Sequence, residues 1–410
     1  MKQSTEEKFT FSAIEEVHQY LFSIPMFATS GAAAARWGLQ GIRQLCSFMG
    51  DPQQELKVVH IAGTNGKGTV AHYISEVLQQ NRYRVGLYTS PHLQKVNERW
   101  KIDGVDMTDD ELLKLFQQYG EAIISTEPTF FELTTALAFR HFADSNVDFA
   151  VIETGLGGRL DATNIVDPVL SIITSIGLDH QAVLGNSIEE IAAEKAGIIK
   201  PGRPVIIGNL QEAAESVVTE AAARNSAELI KSESSEYEYG STENDPGIQV
   251  AGVALNYLSR LYSIDKHVLP LQLSEAKESL QGRFEKLHPQ YSWYFDGAHN
   301  TAAVDLMRKK LNAIGSISYA TVVLSVMKDK ANKDFLGLFS DFRKIYYYPL
   351  QFERAAPLNE IAPLTDQSVE LFPQQSHSRD RLLKSLKSEL VIFTGSFYFY
   401  NCVKGWMRSF

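Results

Sequence analysis

A glycine-rich run with one lysine and two threonines is the segment of the chain best suited to chemistry. It reads GTNGKGT over residues 63–69 and stands between an apolar, β-branched run and a segment of helical spacing. Glycines let successive backbone N–H groups face one anion, and the start of a helix adds a positive dipole. Lys67 can bring a mobile positive charge to the β- and γ-phosphates of a nucleotide, and the Thr69 hydroxyl can reach phosphate or magnesium. The pattern predicts phosphate binding, and the alternative is a plain turn between strand and helix.

An acidic residue follows another buried strand that the sequence predicts. Residues 149–152 form an apolar run, and Glu153 follows it directly. Ligands of open α/β sheets gather at the carboxyl ends of the parallel strands. A carboxylate there can hold Mg²⁺, which takes one or two protein oxygens and fills its other positions with phosphate oxygens or water. The alternative is a structural ion pair between Glu153 and Arg159.

Two further residues have positions that allow a role at the same edge. His180 follows the predicted strand at residues 170–174, although a lone histidine is more often an ordinary loop residue. The positions three and four residues from Lys195 hold only isoleucine and alanine, so no acid pairs with it along a helix. A buried lysine has a lowered pKa and becomes nucleophilic, so that CO₂ can convert it to a carbamate, an anionic metal ligand. The alternative is a lysine whose stem packs on the core while its ammonium reaches water.

A second group of reactive side chains lies nearer the C-terminus. Asp296 and His299, in the stretch DGAHN (296–300), follow a predicted strand at residues 293–295, and Arg283 precedes that strand. They supply an acid, a base and a fixed cation. Any one of them is easily explained as structural, but the three together are harder to explain in that way.

The composition excludes several classes of protein. The chain has 410 residues, 44% of them hydrophobic and 21% charged, and its formal net charge is −10. This charge gives no general attraction for nucleic acid or an anionic membrane. Only two cysteines, Cys46 and Cys402, are present, which does not suggest a disulfide framework. Because residues 1–10 are polar and no run approaches about 18 apolar residues, we expect a cytosolic protein without a membrane span.

Alternating strand-like and helix-like segments predict an α/β protein of two domains. Apolar runs predict strands at residues 56–62, 85–88, 149–152, 170–174, 205–207, 293–295, 320–324 and 391–393. Helical spacing is found at residues 12–22, 38–49, 249–262 and 302–311, and in the segment that follows the glycine-rich run. The acidic, serine-rich residues 231–247 are predicted to form a surface loop. We place the domain boundary between residues 280 and 281.

Eight stretches resemble those of one enzyme family and occur in that family's order. They are HIAGTNGKGT (60–69), YTSPHLQKVNER (88–99), TFFELTTALAF (129–139), ETGLGGRLDATNIVDP (153–168), TSIGLDHQAVLGNSIEEIAAEKAGI (174–198), GRFE (282–285), DGAHN (296–300) and TGSFYF (394–399). The chain thus resembles the folylpolyglutamate synthase/dihydrofolate synthase family of the Mur ligase superfamily. The resemblance implies an N-terminal P-loop ATPase domain with a mostly parallel sheet (1–280) and a smaller, Rossmann-like α/β glutamate ligase domain (281–410).

The resemblance also implies a role for individual residues. The phosphates of ATP would be bound by Thr64, Asn65, Gly66, Lys67, Gly68 and Thr69. One Mg²⁺ would be held by Ser90 and Glu153, and a second by His180 and carbamylated Lys195. The nucleotide would also be bound by Arg283 and Asp296, and the catalytic residues would be Lys67, Lys195 and His299, the last placing the reacting carboxylate. The pterin would be bound by Thr129, Phe130, Phe131, Glu132, Leu160, Asp161 and Ala162.

The reaction implied by the resemblance is ATP-dependent addition of L-glutamate to dihydropteroate or to the γ-carboxylate of a folate. A carboxylate does not react with an amine at neutral pH because its leaving group would be oxide, whereas an acyl-phosphate made from ATP has a good leaving group. We expect small molecules as the only partners and a monomeric protein. One rival is a Mur-type ligase acting on a peptidoglycan precursor, which the TFFEL and LDATN stretches disfavour. The other is a nucleotide-gated binding protein without ligase activity, which the presence of His180, Lys195 and His299 disfavours.

Three departures from the family pattern concern the end of the first domain. The segment at residues 208–247 is short for the family, which predicts a missing peripheral hairpin. Gly252 stands where an asparagine is usual, and Gln281 stands where a proline usually precedes Gly282. We therefore expect nucleotide-binding details to differ there, while the phosphate and metal residues are intact.

Overall fold

The computed structural model describes residues 11–25, 38–233, 245–352 and 354–409. The chain divides into two units, Met1–Ser279 and Leu280–Phe410. The expectation that residues 1–10 form no signal peptide lies outside the described residues, as does most of the loop predicted at 231–247.

The first unit is built on an eight-stranded sheet. Its strands are β1 (Val58–Ala62), β2 (Val85–Tyr88), β3 (Trp100–Ile102), β4 (Val105–Asp106), β5 (Phe149–Glu153), β6 (Leu170–Ile173), β7 (Val205–Ile207) and β8 (Leu229–Lys231). They lie in the order β4-β3-β2-β5-β1-β6-β7-β8, and only β3 and β4 run antiparallel to their neighbours. Every residue of β1 and β5 is buried, which explains the continuous apolar runs of the sequence. The predicted mostly parallel sheet is confirmed.

Helices connect these strands and cover the sheet. They are α1 (Ile14–Ser23), α2 (Gln40–Phe48), α3 (Lys67–Gln80), α4 (Asp109–Thr126), α5 (Phe130–Asp144), α6 (Gln181–Leu184), α7 (Ile188–Ala196), α8 (Glu212–Arg224), α9 (Pro246–Ser259) and α10 (Leu269–Ser279). Residues of α1, α2, α4 and α5 form one apolar core with the sheet, and residues of α7 and α8 form another. Capping boxes at the starts of α4, α5 and α7 fix where these helices begin.

The second unit is a smaller α/β layer structure. Its strands are β9 (Glu285–Lys286), β10 (Trp293–Asp296), β11 (Thr321–Leu324), β12 (Lys344–Tyr347), β13 (Val369–Leu371) and β14 (Val391–Thr394). Their order is β13-β12-β11-β14-β10-β9, parallel except for β9. Its helices are α11 (Thr301–Ile314), α12 (Lys333–Gly337), α13 (Leu358–Ile361), α14 (Ser376–Ser385) and α15 (Tyr400–Ser409). This arrangement confirms the α/β class predicted for the C-terminal part.

The expectations about cysteines and membrane spans can be compared with the structure. Cys46 is a buried free thiol and Cys402 is a partly buried one. Across the ranges given above, no helix is both long enough and apolar enough to cross a bilayer.

Candidate functional site

The glycine-rich run forms the turn between β1 and α3. Strand β1 lies between β5 and β6, so the turn opens at the carboxyl edge of the sheet, where ligands of such sheets bind. Gly66 precedes the helix with φ of 84°, a conformation that glycine adopts without strain. Because the N-cap residue is a glycine, it has no side chain that could accept a hydrogen bond from the first backbone N–H groups of this helix. Such an N-terminus is suited to an anion.

The turn is held in place by the segment that follows β6. The Thr64 hydroxyl lies 3.0 Å from the backbone nitrogen of Gly177, which donates to it. The backbone nitrogen of Asn65 donates to Ser175 Oγ at 2.9 Å. On the helix, Thr69 contacts Gly247, where an added Cβ would lie 2.9 Å from Thr69 Cγ2. The glycine-rich turn is therefore tied to the segment after β6 by hydrogen bonds.

Two lysines meet at one backbone carbonyl in this turn. The Nζ atoms of Lys67 and Lys195 donate to the oxygen of Gly63 at 2.9 and 3.0 Å. Lys195 is only 3% exposed, and this burial, helped by the nearby charge of Lys67, lowers its pKa to about 7. The interpretation in which the Lys195 ammonium reaches water is therefore wrong. At neutral pH a large fraction of this amine is uncharged and nucleophilic.

Glu153 and Ser90 adjoin the start of α3. The Ser90 backbone nitrogen donates to Glu153 Oε2 at 3.1 Å, and a Cβ added at Gly68 would lie 3.2 Å from the same oxygen. Arg159 pairs instead with Glu194, at 2.7 Å between Nη2 and Oε1. The alternative of a Glu153–Arg159 ion pair is therefore wrong. A buried carboxylate next to a serine in this way suits Mg²⁺, which prefers hard oxygen donors.

His180 lies in the loop after β6, at the start of α6, with φ of 49°. Its Nε2 is 3.9 Å from Oδ1 of the buried Asp179. The charge of Asp179 also raises the pKa of Lys195, against the larger effect of burial, which means that Asp179 is close to that amine. Asp179 was not selected from the sequence, where its only signal was its position next to His180. Within the described residues, no group of three or more His, Cys, Asp or Glu side chains is arranged to hold a metal ion.

Two of the residues predicted to bind pterin have a structural role at the start of α5. The Thr129 backbone nitrogen and hydroxyl donate to Glu132 Oε2 at 2.8 and 2.9 Å, and Glu132 N donates back to the hydroxyl at 3.2 Å. The Phe131 ring lies 6.0 Å from that of Tyr88, between ring centroids. It also abuts Gly155, where an added Cβ would fall 2.5 Å from the Phe131 Cζ. The loop after β5 and the start of α5 are therefore in direct contact.

The LDA stretch (160–162) is tied to β1 by a buried network. The Asp161 carboxylate accepts hydrogen bonds from Leu156 N at 2.8 Å and from the Thr163 hydroxyl at 2.5 Å. The same hydroxyl lies 2.8 Å from His60 Nε2. Burial raises the pKa of Asp161 and lowers that of His60 to about 3. His60 is therefore neutral, and both it and Thr163 were missed in the sequence. Leu160 is half-buried and Ala162 is buried beside this network.

In the second unit, Asp296, Arg283 and His299 lie close together. Asp296 accepts hydrogen bonds from the backbone nitrogens of Phe284 and Ala298 at 2.9 and 2.8 Å. Burial raises the pKa of Asp296, and the charge of Arg283 opposes this rise. The Arg283 guanidinium lies 4.0 Å from the centre of the Phe397 ring. His299 Nδ1 donates to the backbone oxygen of residue 297 at 2.9 Å.

Comparison with known proteins shows which family the chain resembles. Residues 61–250 match the Mur ligase middle domain. The dihydrofolate synthase/folylpolyglutamate synthase of Bacillus subtilis is 33% identical over 404 residues, covering 90% of this chain and 94% of that protein.

Two solved structures have the same fold over nearly the whole chain. Escherichia coli FolC in complex with DHPP and ADP has a TM-score of 0.85 and 26% identity, covering 97% of this chain and 98% of that one. A bifunctional folylpolyglutamate synthase/dihydrofolate synthase with Mn, AMPPNP and L-glutamate bound has a TM-score of 0.83, 26% identity and the same coverage. The chain belongs to the dihydrofolate synthase/folylpolyglutamate synthase family.

Proposed function

We propose that this protein is an ATP-dependent ligase that joins L-glutamate to dihydropteroate, to the γ-carboxylate of a folate, or to both, releasing ADP and phosphate. The observation that carries the proposal is the meeting of Lys67, Lys195 and Glu153 around the start of α3. The Lys67 cation and the amide donors at this sheet edge suit a triphosphate, and the carboxylate suits its magnesium. Membership of the family, whose relatives carry the names of both activities, supports the same reaction.

The nucleotide is bound chiefly by the turn. Its phosphates accept hydrogen bonds from backbone N–H groups at the start of α3, and Lys67 supplies a charge that follows the transferred phosphoryl group. In the second unit, Arg283 and Asp296 are proposed to contact the nucleotide. The residues proposed to bind the phosphates are Thr64, Asn65, Gly66, Lys67, Gly68 and Thr69.

Two magnesium positions are proposed from the oxygen and nitrogen donors present. Ser90 and Glu153 would hold the first, and His180 with carbamylated Lys195 would hold the second. The Lys195 nitrogen lone pair forms an N–C bond to CO₂, one C=O electron pair moves to oxygen, and the nitrogen gives up a proton to solvent. When bound, the metal ions neutralise charge on the phosphates.

The acceptor is proposed to lie against the loop after β5 and the start of α5, within reach of the metal residues. Phosphorylation of its carboxylate gives an acyl-phosphate, which the amine of L-glutamate attacks. His299 is proposed to help place the reacting carboxylate. We further propose a monomer in the cytosol with small-molecule partners only. The residues proposed to bind the pterin are Thr129, Phe130, Phe131, Glu132, Leu160, Asp161 and Ala162.

Phosphate release tests this function directly. Purified protein is incubated with ATP, Mg²⁺, L-glutamate and dihydropteroate, and then with tetrahydrofolate in place of dihydropteroate. We expect phosphate release that needs all four components, with a product one glutamyl residue heavier than the acceptor. Phosphate release that is independent of acceptor and glutamate, or no release with either acceptor, would overturn the proposal. Activity with dihydropteroate would indicate addition of the first glutamate, and activity with tetrahydrofolate would indicate chain extension.

A further inference from the structure

A buried arginine lies between the Ser90 loop and the start of α5. Arg99 is 7% exposed, its Nε donates to His92 Nδ1 at 3.0 Å, and its guanidinium carbon lies 5.1 Å from the centre of the Phe130 ring. In the part of the chain that the structure describes, its two terminal amines, Nη1 and Nη2, have no hydrogen-bond or ion-pair partner. The side chain is therefore oriented but its charge is not balanced by a contact.

Arg99 is largely buried, and a charged group in such a place is usually paired with a counter-ion. A guanidinium whose Nε is already used keeps two terminal amines in one plane. That fork matches the two oxygens of a carboxylate. The shape of the Arg99 side chain therefore suits an anion that comes from a ligand.

His92 adds a second donor beside the arginine. Because Nδ1 accepts the hydrogen bond from Arg99, the ring proton of the neutral imidazole must be on Nε2. His92 is two residues from Ser90, and Phe130 is next to Phe131, which is proposed to contact the pterin. The pair therefore lies where the metal-binding loop and the acceptor-binding helix meet.

We propose that Arg99, oriented by His92, binds a non-reacting carboxylate of a glutamyl group, an inference that rests on the proposed function. The reacting carboxylate needs an oxygen free to attack phosphorus, and a two-pronged guanidinium would occupy both of its oxygens. Dihydropteroate has only the reacting carboxylate. A glutamylated folate carries an additional α-carboxylate, and the incoming L-glutamate carries carboxylates of its own, so either can supply the anion.

The test compares Arg99→Gln and Arg99→Lys with the wild type on three acceptors: dihydropteroate, tetrahydrofolate, and tetrahydrofolate with its α-carboxylate converted to an amide. A charged hydrogen bond of this kind corresponds to roughly 10- to 100-fold in KM. If the acceptor is the source, Arg99→Gln raises the KM for tetrahydrofolate about tenfold more than that for dihydropteroate. The preference of the wild type for acid over amide then disappears in the variant. If L-glutamate is the source, its KM rises with every acceptor.

Arg99→Lys is expected to recover part of the loss, because it keeps the charge without the fork. The matched control is Arg224→Gln, which removes only a surface ion pair with Glu220. An equal fall in kcat on all acceptors with unchanged KM values, or a variant with wild-type kinetics, would overturn the inference. If Arg99→Gln does not fold, as judged by circular dichroism, the wild type alone decides. The inference is overturned if the wild type uses the acid and the amide of tetrahydrofolate equally well and also uses the α-amide of glutamate as well as glutamate. No phosphate release by the wild type with any acceptor would instead refute the proposed function.

Discussion

The two units each contain a parallel strand, a short turn and a helix, but the two helices begin differently. In the first unit, β1 leads into α3 through Gly66, which has no side chain to cap the helix. In the second, β10 leads into α11 through Asn300, whose side chain accepts a hydrogen bond from Ala303 N at 3.0 Å. The N-cap side chain of the second helix therefore satisfies one of its N-terminal amides, whereas the N-cap glycine of the first helix has no side chain to do so.

The difference extends to the charges around each turn. The first turn has two lysines on one carbonyl, and the charge of Lys67 helps to lower the pKa of its neighbour Lys195. In the second turn, Asp296 accepts two backbone N–H groups and faces Arg283. The same topology thus gives a lysine-rich turn, proposed to bind phosphate, in one unit and a turn with an internal acid–arginine pair in the other.

The largest effect is expected from Lys67→Ala. Removal of the charge that faces the transferred phosphoryl group should lower ATP turnover by ~10²-fold or more. Steady-state phosphate release measures this, and a thermal melt checks that the fold is kept. The control is Lys114→Ala, at an exposed position of α4. If Lys67→Ala kept a turnover near that of the wild type, the assignment of the first turn as the phosphate site would be contradicted.

Activity should depend on Lys195 nearly as strongly as on Lys67. The carbamate proposed for Lys195 is an anion that neither alanine nor arginine can form. We expect Lys195→Ala and Lys195→Arg each to lose most activity, on the order of 10²-fold. Added formate or acetate should partly restore the alanine variant by filling the gap, and should not restore the arginine variant. Full activity of Lys195→Arg would mean that the residue acts as a simple cation.

Gly66→Asn would make the first turn resemble the second. Asparagine tolerates positive φ, and an added Cβ has only ordinary contacts, the nearest being 3.8 Å from Thr174 Cβ. Its side chain can cap α3 and compete with phosphate for the same amides. We expect the KM for ATP to rise roughly tenfold with little change in melting temperature. Gly50→Asn, at another positive-φ glycine with open space, is the control and should leave the KM unchanged.

The smallest effect concerns stability and pH. Lys195 has a folded-state pKa of about 7, below the 10.5 of an unperturbed lysine. Below pH 7 both folded and unfolded chains hold the proton, and the folded chain bears the full desolvation penalty. Above pH 7 the folded chain releases the proton first, so its stability rises toward pH 10. In CO₂-free buffer, Lys195→Met should therefore melt higher than the wild type, by a margin that is largest below pH 7. A margin that does not change with pH would contradict the lowered pKa.

The sequence was most informative where burial is complete. The fully buried strands β1, β2, β5, β6 and β7 are mostly apolar, and the sequence predicts them within one or two residues. Both residues of β4 are exposed and β13 is only partly covered, so neither has an apolar pattern to detect. Edge strands depend on pairing with a neighbour more than on their own composition.

The residues of the candidate site also differ in whether their partners are near or far along the sequence. Gly66 and Lys67 lie in a local turn between a strand and a helix, and the sequence pattern around them predicted that position. His60 and Thr163 are 103 residues apart, and only the fold brings them to 2.8 Å. Lys195 reaches a carbonyl 132 residues away, so its burial could be inferred from its apolar neighbours but its partner could not.

Transfer of an isotope from the acceptor to phosphate tests the central claim most directly. Dihydropteroate or tetrahydrofolate is labelled with ¹⁸O in the reacting carboxylate and incubated with ATP, Mg²⁺ and L-glutamate. Because an acyl-phosphate keeps one carboxylate oxygen in its bridge and the amine expels phosphate with that oxygen, the released phosphate should carry one ¹⁸O atom per turnover. Phosphate that forms at the same rate as the glutamylated product but contains no ¹⁸O would contradict the acyl-phosphate mechanism.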